Sequence, residues 1–506
     1  MIKKNSATGK TFYGDFFALL ITIGLFYLLF LGSHGLISPD EGRYSDAARE
    51  MLVTGNFITP HVDGVPFLDK PILFYWLQAL SMVLFGINEW SIRLFPMLAG
   101  VGNCLLVYVI GNKLFGRRSG LLSALILSVM PMFFGVAHFA NMDIEVAFFI
   151  TGAVGCGLIA IDQADSTAGR HWMWLAFVFA GLGFLTKGLI AIVFPMMILG
   201  VWIIGWNRWK YIPKLSLPIS ILIFLAIVLP WFIVVSLNNP TFLHYFFIYE
   251  QFTRFIGDQF NSTQPVWYYL MLILAGIAPW IWFFGQSIKM HWLQVKHKEP
   301  RNHRSAILLL WPLLILIFFS IPASKLPGYI APVFPPLALL LGTYLDTRFA
   351  SSCWRKAFWS VFLVFAVALV AVMGCMRWFP INTDQTLTAV VRHQIQPTDQ
   401  VVSYENYFWG VPLYLQRQVL VVGQWNDVHK IMSNDGWPQM FYMGVQQDPK
   451  AKKWLLDEEQ FWSLWCSTQR VWVFARADAL NNFAQHDCAY TVVSRADRKV
   501  VLLNHY

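Results

Sequence analysis

Ser38-Pro39-Asp40-Glu41-Gly42-Arg43-Tyr44 and, further on, Phe67-Leu68-Asp69-Lys70-Pro71 sit in one polar interval between oily stretches. An apolar run from Phe16 to Gly32 precedes them, and the next run of unambiguous membrane length begins near Arg93. That leaves roughly sixty residues on one side of a bilayer, enough to build a site. The interval carries Asp40, Glu41, Arg43, Asp46, Arg49, Glu50, Asp63, Asp69 and Lys70, a mixture suited to phosphate binding and acid–base chemistry beside a membrane.

The 506 residues are 57% hydrophobic, 17% aromatic and 13% charged, which excludes a soluble multidomain protein. The net charge of +9 does not indicate nucleic acid, because the basic residues cluster in short loops between apolar runs, as positive-inside sorting requires. Lys3, Lys4 and Lys10 precede the first run and no small-residue cleavage site follows it, so it reads as a retained helix with a cytoplasmic N-terminus. Spans are expected near 16–33, 93–115, 119–137, 142–162, 171–186, 188–206, 214–237, 266–288, 305–321, 328–346 and 357–378. The fold class is thus an α-helical polytopic membrane protein with about eleven to thirteen spans. Ile72 to Phe85 is short for a span and is placed flat on the outer surface, which keeps every basic loop inside.

After Trp378-Phe379-Pro380 the membrane pattern ends. Residues 1–379 are read as a transmembrane domain with a large outer loop at 34–92, and 380–506 as a C-terminal α/β domain outside the membrane. Strands are expected at 401–403, 419–422, 471–474, 490–493 and 500–503, and helices at 407–415 and 458–465. Cys466 and Cys488 share this outer segment, where an oxidising compartment permits a disulfide that sequence alone leaves open.

Tyr44, Ala47, Ala48, Met51 and Leu52 give 41–53 the spacing of an amphipathic helix, with Asp40 at its start. Asp40 is then either a helix cap or a functional carboxylate. With this topology, Asp40, Glu41, Asp69, Lys70, Asp143, Lys187, Glu250, Arg254, Lys325 and Tyr329 fall on the outer side. Asp143 is too short to snorkel from a span end, so a role or a partner must account for it. Carboxylates beside such cations suit transfer of a group from a phosphate leaving group. The absence of a Gly-rich phosphate loop argues against a nucleotide-fuelled reaction and for a membrane-bound substrate.

Ser38–Tyr44, Phe67–Pro71, Asn141-Met142-Asp143, Leu185-Thr186-Lys187-Gly188, Tyr249–Phe255 and Ser324-Lys325-Leu326-Pro327-Gly328-Tyr329 occur in the order found in membrane glycosyltransferases of the protein O-mannosyltransferase superfamily. Across nearly the whole chain the sequence most resembles its bacterial 4-amino-4-deoxy-L-arabinose lipid A transferases. The resemblance implies a GT-C fold, an undecaprenyl-phosphate-linked sugar donor and transfer at the periplasmic face of the inner membrane to lipid A or another envelope acceptor. It implies that Asp40 and Asp143 are the essential carboxylates, that Lys70 meets the donor phosphate, and that Tyr44 and Tyr329 line the site. Glu41, Lys187, Arg254 and Lys325 complete the expected substrate-binding set. Asp69 and Glu250 are the candidates for a divalent metal, which is not required. Gln251 stands where a histidine is typical, and a neutral amide is a poor zinc ligand; Phe67 stands where tyrosine is common. Nearby His244 reads as a packed residue.

Two other classes remain open on sequence grounds. A non-catalytic transporter of lipid-linked sugars would show midplane polar residues in broken helices, whereas these charges concentrate in surface loops. A scaffold protein would have no use for the acidic pair.

Overall fold

The computed structural model describes residues 3–253, 263–296, 303–379, 382–433 and 436–504. The chain runs through α1 (Lys3–Leu28), α2 (Asp40–Thr54), a hairpin of β1 (His61–Val62) and β2 (Val65–Pro66), α3 (Leu73–Phe85), α4 (Glu89–Leu114), α5 (Arg117–Ser128), α6 (Pro131–Ala137), α7 (Asp143–Asp162), α8 (Thr167–Lys187), α9 (Ile190–Gly205) and α10 (Leu217–Asn238). Helices at Tyr268–Gly276, Ile281–Lys296, His303–Ser320, Phe334–Arg348 and Ser352–Cys375 complete the membrane part.

Among the described residues seven helices are long and apolar enough to cross a membrane, or nine if two bent pairs each count as one span. Each of the expected span intervals holds a helix or a bent pair. The shortfall from eleven has identifiable causes. Prolines interrupt two of the apolar runs: Pro131 starts α6 after a 69° bend, and Pro279 lies at a 74° bend. Arg170 and Lys187 make the ends of α8 polar, and α9 has only 16 residues. At 13 residues α3 is about 20 Å long, short of the hydrocarbon thickness.

α7 forms the centre of the bundle, and small residues let its neighbours approach. A Cβ on Gly155 would stand 2.1 Å from Ile110 Cδ1, so a larger residue on α7 would require Ile110 of α4 to move.

α2 begins one residue earlier than its apolar spacing suggests and ends at Gly55, whose φ of 72° allows the left-handed cap with its N–H bonded to Met51 O. The β1–β2 hairpin turns through Asp63 and Gly64, at φ 51° and 77°, the two positive angles of a tight primed turn.

The C-terminal sheet has the order β5-β4-β3-β6-β8-β7, with β3 at Gln400–Tyr404, β4 at Leu420–Val422, β5 at Leu455–Leu456, β6 at Val471–Arg476, β7 at Tyr490–Ala496 and β8 at Lys499–Asn504. β5, β4, β3 and β6 are parallel; β8 and β7 are antiparallel additions. Period-two alternation buries both faces: Val471 and Val473 pack with Phe461 and Phe483, while Trp472 and Phe474 pack with Leu387 and Val391. β5 is too short to register in the sequence pattern. The expected helix at 407–415 is confined to Val411–Leu415, whereas Glu458–Trp465 is helical as expected. Cys466 and Cys488 are disulfide-bonded, with a Cα–Cα distance of 5.5 Å.

This domain packs against the polar interval that holds α2 and the β1–β2 hairpin. Leu36 N–H donates to Tyr414 Oη (2.8 Å), Ser38 N–H to Asn382 O (3.0 Å), and Val419 N–H to Asp63 Oδ1 (2.7 Å). A Cβ on Gly42 would lie 2.6 Å from Trp409 O, which measures how closely α2 and the domain meet.

Candidate active site

Asp40 is the first residue of α2, but the cap position belongs to Pro39 and no side chain caps the helix. The Asp40 carboxylate instead accepts from Arg43 Nη2 at 2.6 Å. Arg43 lies over three rings, Tyr44 (4.9 Å), Trp409 (5.4 Å) and Phe67 (5.7 Å), and donates to Tyr44 Oη at 3.3 Å. Trp409 comes from the C-terminal domain, so that domain forms part of this wall.

Asp143 opens α7. Asn141 turns the chain into that helix: its Oδ1 accepts from the Asp143 N–H (2.9 Å) and its Nδ2 donates to Asp143 Oδ2 (3.0 Å). Asp143 Oδ1 is bound by the Lys187 ammonium at the end of α8. Lys187 also lies 4.6 Å from the centre of the Tyr329 ring. Gly328 makes this possible, since a Cβ there would stand 1.9 Å from Asp143 Oδ2. The two carboxylates belong to one electrostatic neighbourhood. Burial pushes the Tyr44 phenol well above its ordinary pKa, Arg43 opposes this, and Asp40, Asp143 and Tyr329 add to it.

A second group lies beyond Tyr44, across the rings of Phe67 and Tyr75 at 6.4 and 6.3 Å. Lys70 Nζ donates to Glu250 Oε2 at 2.7 Å, and Tyr245 Oη to Asp69 Oδ1 at 2.6 Å. These donors do not make a good metal site: one carboxylate is already matched to an ammonium and the other to a phenol. The Gln251 amide faces Gly188, 3.2 Å from where a Cβ would stand. His244 is exposed, which corrects the expectation that it packs. Among the described residues no group of three His, Cys, Asp or Glu side chains could hold a metal ion.

Glu41 does not face a substrate. It is fully buried, accepting from Arg93 Nε and Nη2 (both 2.7 Å), Ile37 N–H (2.8 Å) and Ala140 N–H (2.9 Å). It fastens the start of α2 to the loop that presents Asp143, a positioning role in place of the expected contact. Burial raises its pKa, but the Arg93 charge and these hydrogen bonds outweigh that and hold it below the ordinary glutamate value. Lys325 is buried and donates to the carbonyls of Gln264 (3.1 Å) and Pro322 (2.5 Å). Arg254 lies outside the described residues.

Sequence reasoning missed Arg93, Trp409 and Tyr245. Arg93 was visible only as the edge of a span, and no local signal connects Trp409 to Arg43. Gly328 was part of a quoted motif, but its reason, the approach of Asp143, needs the fold.

These features define a multi-pass membrane protein of the GT-C fold with a C-terminal sheet domain. Residues 69–234 match the family model described as dolichyl-phosphate-mannose-protein mannosyltransferase, and 387–504 match the aminoarabinose transferase C-terminal domain. The Enterobacter protein named undecaprenyl phosphate-alpha-4-amino-4-deoxy-L-arabinose arabinosyl transferase is 32% identical over 74% of this chain and 68% of its own length. The chain belongs to that arabinosyl transferase family. A Pseudomonas fluorescens protein, named as arabinosyl transferase 1 of this kind, is 35% identical over 67% of the chain; the match spans 60% of that relative's own length. In fold, the chain matches the crystal structure of ArnT from Cupriavidus metallidurans bound to undecaprenyl phosphate, with a TM-score of 0.83, 24% identity and coverage of 96% and 97% of the two chains. The Archaeoglobus fulgidus oligosaccharyltransferase AglB matches at a TM-score of 0.56 and 12% identity, covering 91% of this chain and 70% of its own.

Proposed function

We propose that this chain transfers a sugar from an undecaprenyl-phosphate carrier to an envelope acceptor, moving 4-amino-4-deoxy-L-arabinose to a lipid A phosphate. The observation that carries the reading is a pair of carboxylates, Asp40 and Asp143, each held by a cation, Arg43 and Lys187, with both charges acting on the buried Tyr44 phenol. The names of the relatives support the choice of sugar and carrier.

In this reading an oxygen of the acceptor phosphate forms the new bond to the anomeric carbon. The bond from that carbon to the carrier phosphate oxygen breaks, and its electron pair leaves with undecaprenyl phosphate. A phosphate is already a nucleophile, so the protein's task is positioning and charge stabilisation rather than proton removal. Lys70 exchanges Glu250 for the carrier phosphate, while Lys325 and Arg254 supply further positive charge. Asp40 and Asp143 hold the ammonium and hydroxyl groups of the sugar, and Tyr44 and Tyr329 wall it in. The N-terminus is cytoplasmic in a bacterial inner membrane and the C-terminal domain periplasmic, a compartment that sustains the Cys466–Cys488 bond.

The test is transfer by the purified chain from undecaprenyl-phosphate aminoarabinose to lipid A, read by mass spectrometry. The expected product is lipid A carrying one aminopentose. Donor turnover with lipid A unchanged would reassign the acceptor, and absence of donor turnover would remove the enzyme assignment.

A further inference from the structure

The C-terminal sheet has a crevice that the transfer reaction does not use. β3 is followed by β4 and β5 on one side, and the chain then returns to place β6 on the other side of β3. The strand order therefore reverses between β3 and β6, and in open parallel sheets ligands bind outside the carboxyl ends of strands at such a switch point. A cleft of about 460 Å³ lies at that place, lined by Tyr404 and Glu405 at the end of β3 and by Arg476, Asp478, Ala479 and Asn482 at and after the end of β6. This volume falls within the usual range of small-molecule sites. Glu405 is held at a φ of 49°, in the left-handed region.

The lining selects a ligand chemistry. The Arg476 guanidinium is paired within the cleft by Asp478, at 3.3 and 3.1 Å, so that these two charges offset one another. Asn482 Nδ2 reaches Glu405 Oε2 and Tyr404 Oη at 3.4 Å each, contacts long enough to yield to better donors. Glu405 has Glu458 and Asp478 as acidic neighbours and Lys430 as the opposing cation; burial first, and then these carboxylates, raise its pKa. We propose that the cleft at the carboxyl ends of β3 and β6 binds a saccharide unit bearing a protonated amine, with Glu405 meeting the ammonium and Asn482 and Tyr404 the hydroxyls. The cleft is joined to the Asp40 region by the loop from Glu405 to Trp409, which ends over Arg43. The proposal concerns binding alone and does not depend on the transfer reaction.

The experiment titrates the full chain in detergent with methyl α-glucosaminide and, separately, with methyl α-glucoside, by saturation-transfer NMR. The amino glycoside is expected to bind about tenfold or more tightly than the neutral one, the span of a charge-assisted hydrogen bond. Glu405→Gln should lose that preference and Asn482→Ala should weaken both ligands, in an Asp40→Asn background as in the wild-type chain, so that binding at the transfer site is set aside. Thermal melting of each variant checks that it is folded. Equal binding of the two glycosides, no binding of either, or binding that survives both cleft variants and disappears with Asp40→Asn would each overturn the assignment.

Discussion

Glu41 and Arg93 form a bidentate pair with both bonds at 2.7 Å and neither side chain exposed. The pair joins the start of α2 to the bundle. Removing one partner from such a pair strands the other, at a cost of about 3–5 kcal/mol. Glu41→Gln should therefore lower the melting temperature and the amount of folded protein, with transfer per folded molecule reduced less than abundance. Normal stability with transfer abolished would instead give Glu41 a direct part in the chemistry.

Asp40→Asn and Asp143→Asn should each reduce transfer by about a hundredfold or more at normal abundance, since shape is nearly retained while charge is lost. The Asp143 variant also leaves Lys187 without its carboxylate, so its melting point should fall further than that of the Asp40 variant. Kinetics normalised to folded protein measure both effects. Wild-type rates in both variants would remove the proposed site.

For Lys70 the structure sets a specific control. Lys70→Met alone leaves the Glu250 side chain, 2% exposed, without its ammonium. The double variant Lys70→Met/Glu250→Gln removes both charges and should recover stability while the donor KM stays raised about tenfold or more. Recovery of donor KM along with stability would reduce Lys70 to a structural partner.

The contact between the outer hairpin and the C-terminal domain should depend on pH. Asp46, Glu50 and Asp63 surround Arg49, all essentially buried, and Tyr407 faces the same group. Burial and then Asp46 raise the pKa values of Glu50 and Asp63. Raised carboxylates bind more protons in the folded state, so their stabilisation is fully present below the ordinary carboxylate range and lost as pH rises through the raised values. Melting temperatures should fall as pH rises above the ordinary carboxylate range, and Asp63→Asn should flatten that slope and raise the value at the alkaline end. An unchanged slope would show that these groups do not titrate in that window.

Reducing the Cys466–Cys488 bond, whose partners are 22 residues apart, should cost the C-terminal domain about 3 kcal/mol. Calorimetry with and without reductant measures it; no change would mean that the sheet core alone sets the domain's stability.

What could be read from the sequence was what is local. The polar interval, the amphipathic spacing of α2 and the alternation in β3, β6 and β8 each lie within a short window, and the helix at Asp40–Thr54 followed from its own residues. Asp40 and Asp143 stood out because short carboxylates near a membrane need a reason. The environment of those residues was not legible. Whether Asp40 capped a helix or met Arg43 depends on the residue at which α2 begins, and Lys70 looked available until Glu250 arrived from 180 residues away. The bends were not legible either, since a break at Pro131 or Pro279 leaves the apolar run intact to the eye.

The bond from Val419 N–H to Asp63 joins residues 356 positions apart. A ribosome completes the β1–β2 hairpin long before the residues that pair with it exist, so Asp63 lacks this bond until the last quarter of the chain has been made and folded. Only then does the carboxylate exchange solvent for a backbone amide, and Trp409 comes to rest over Arg43. Maturation of the transmembrane part is thus tied to the end of synthesis, and a chain released early is left with an unfinished wall beside Asp40.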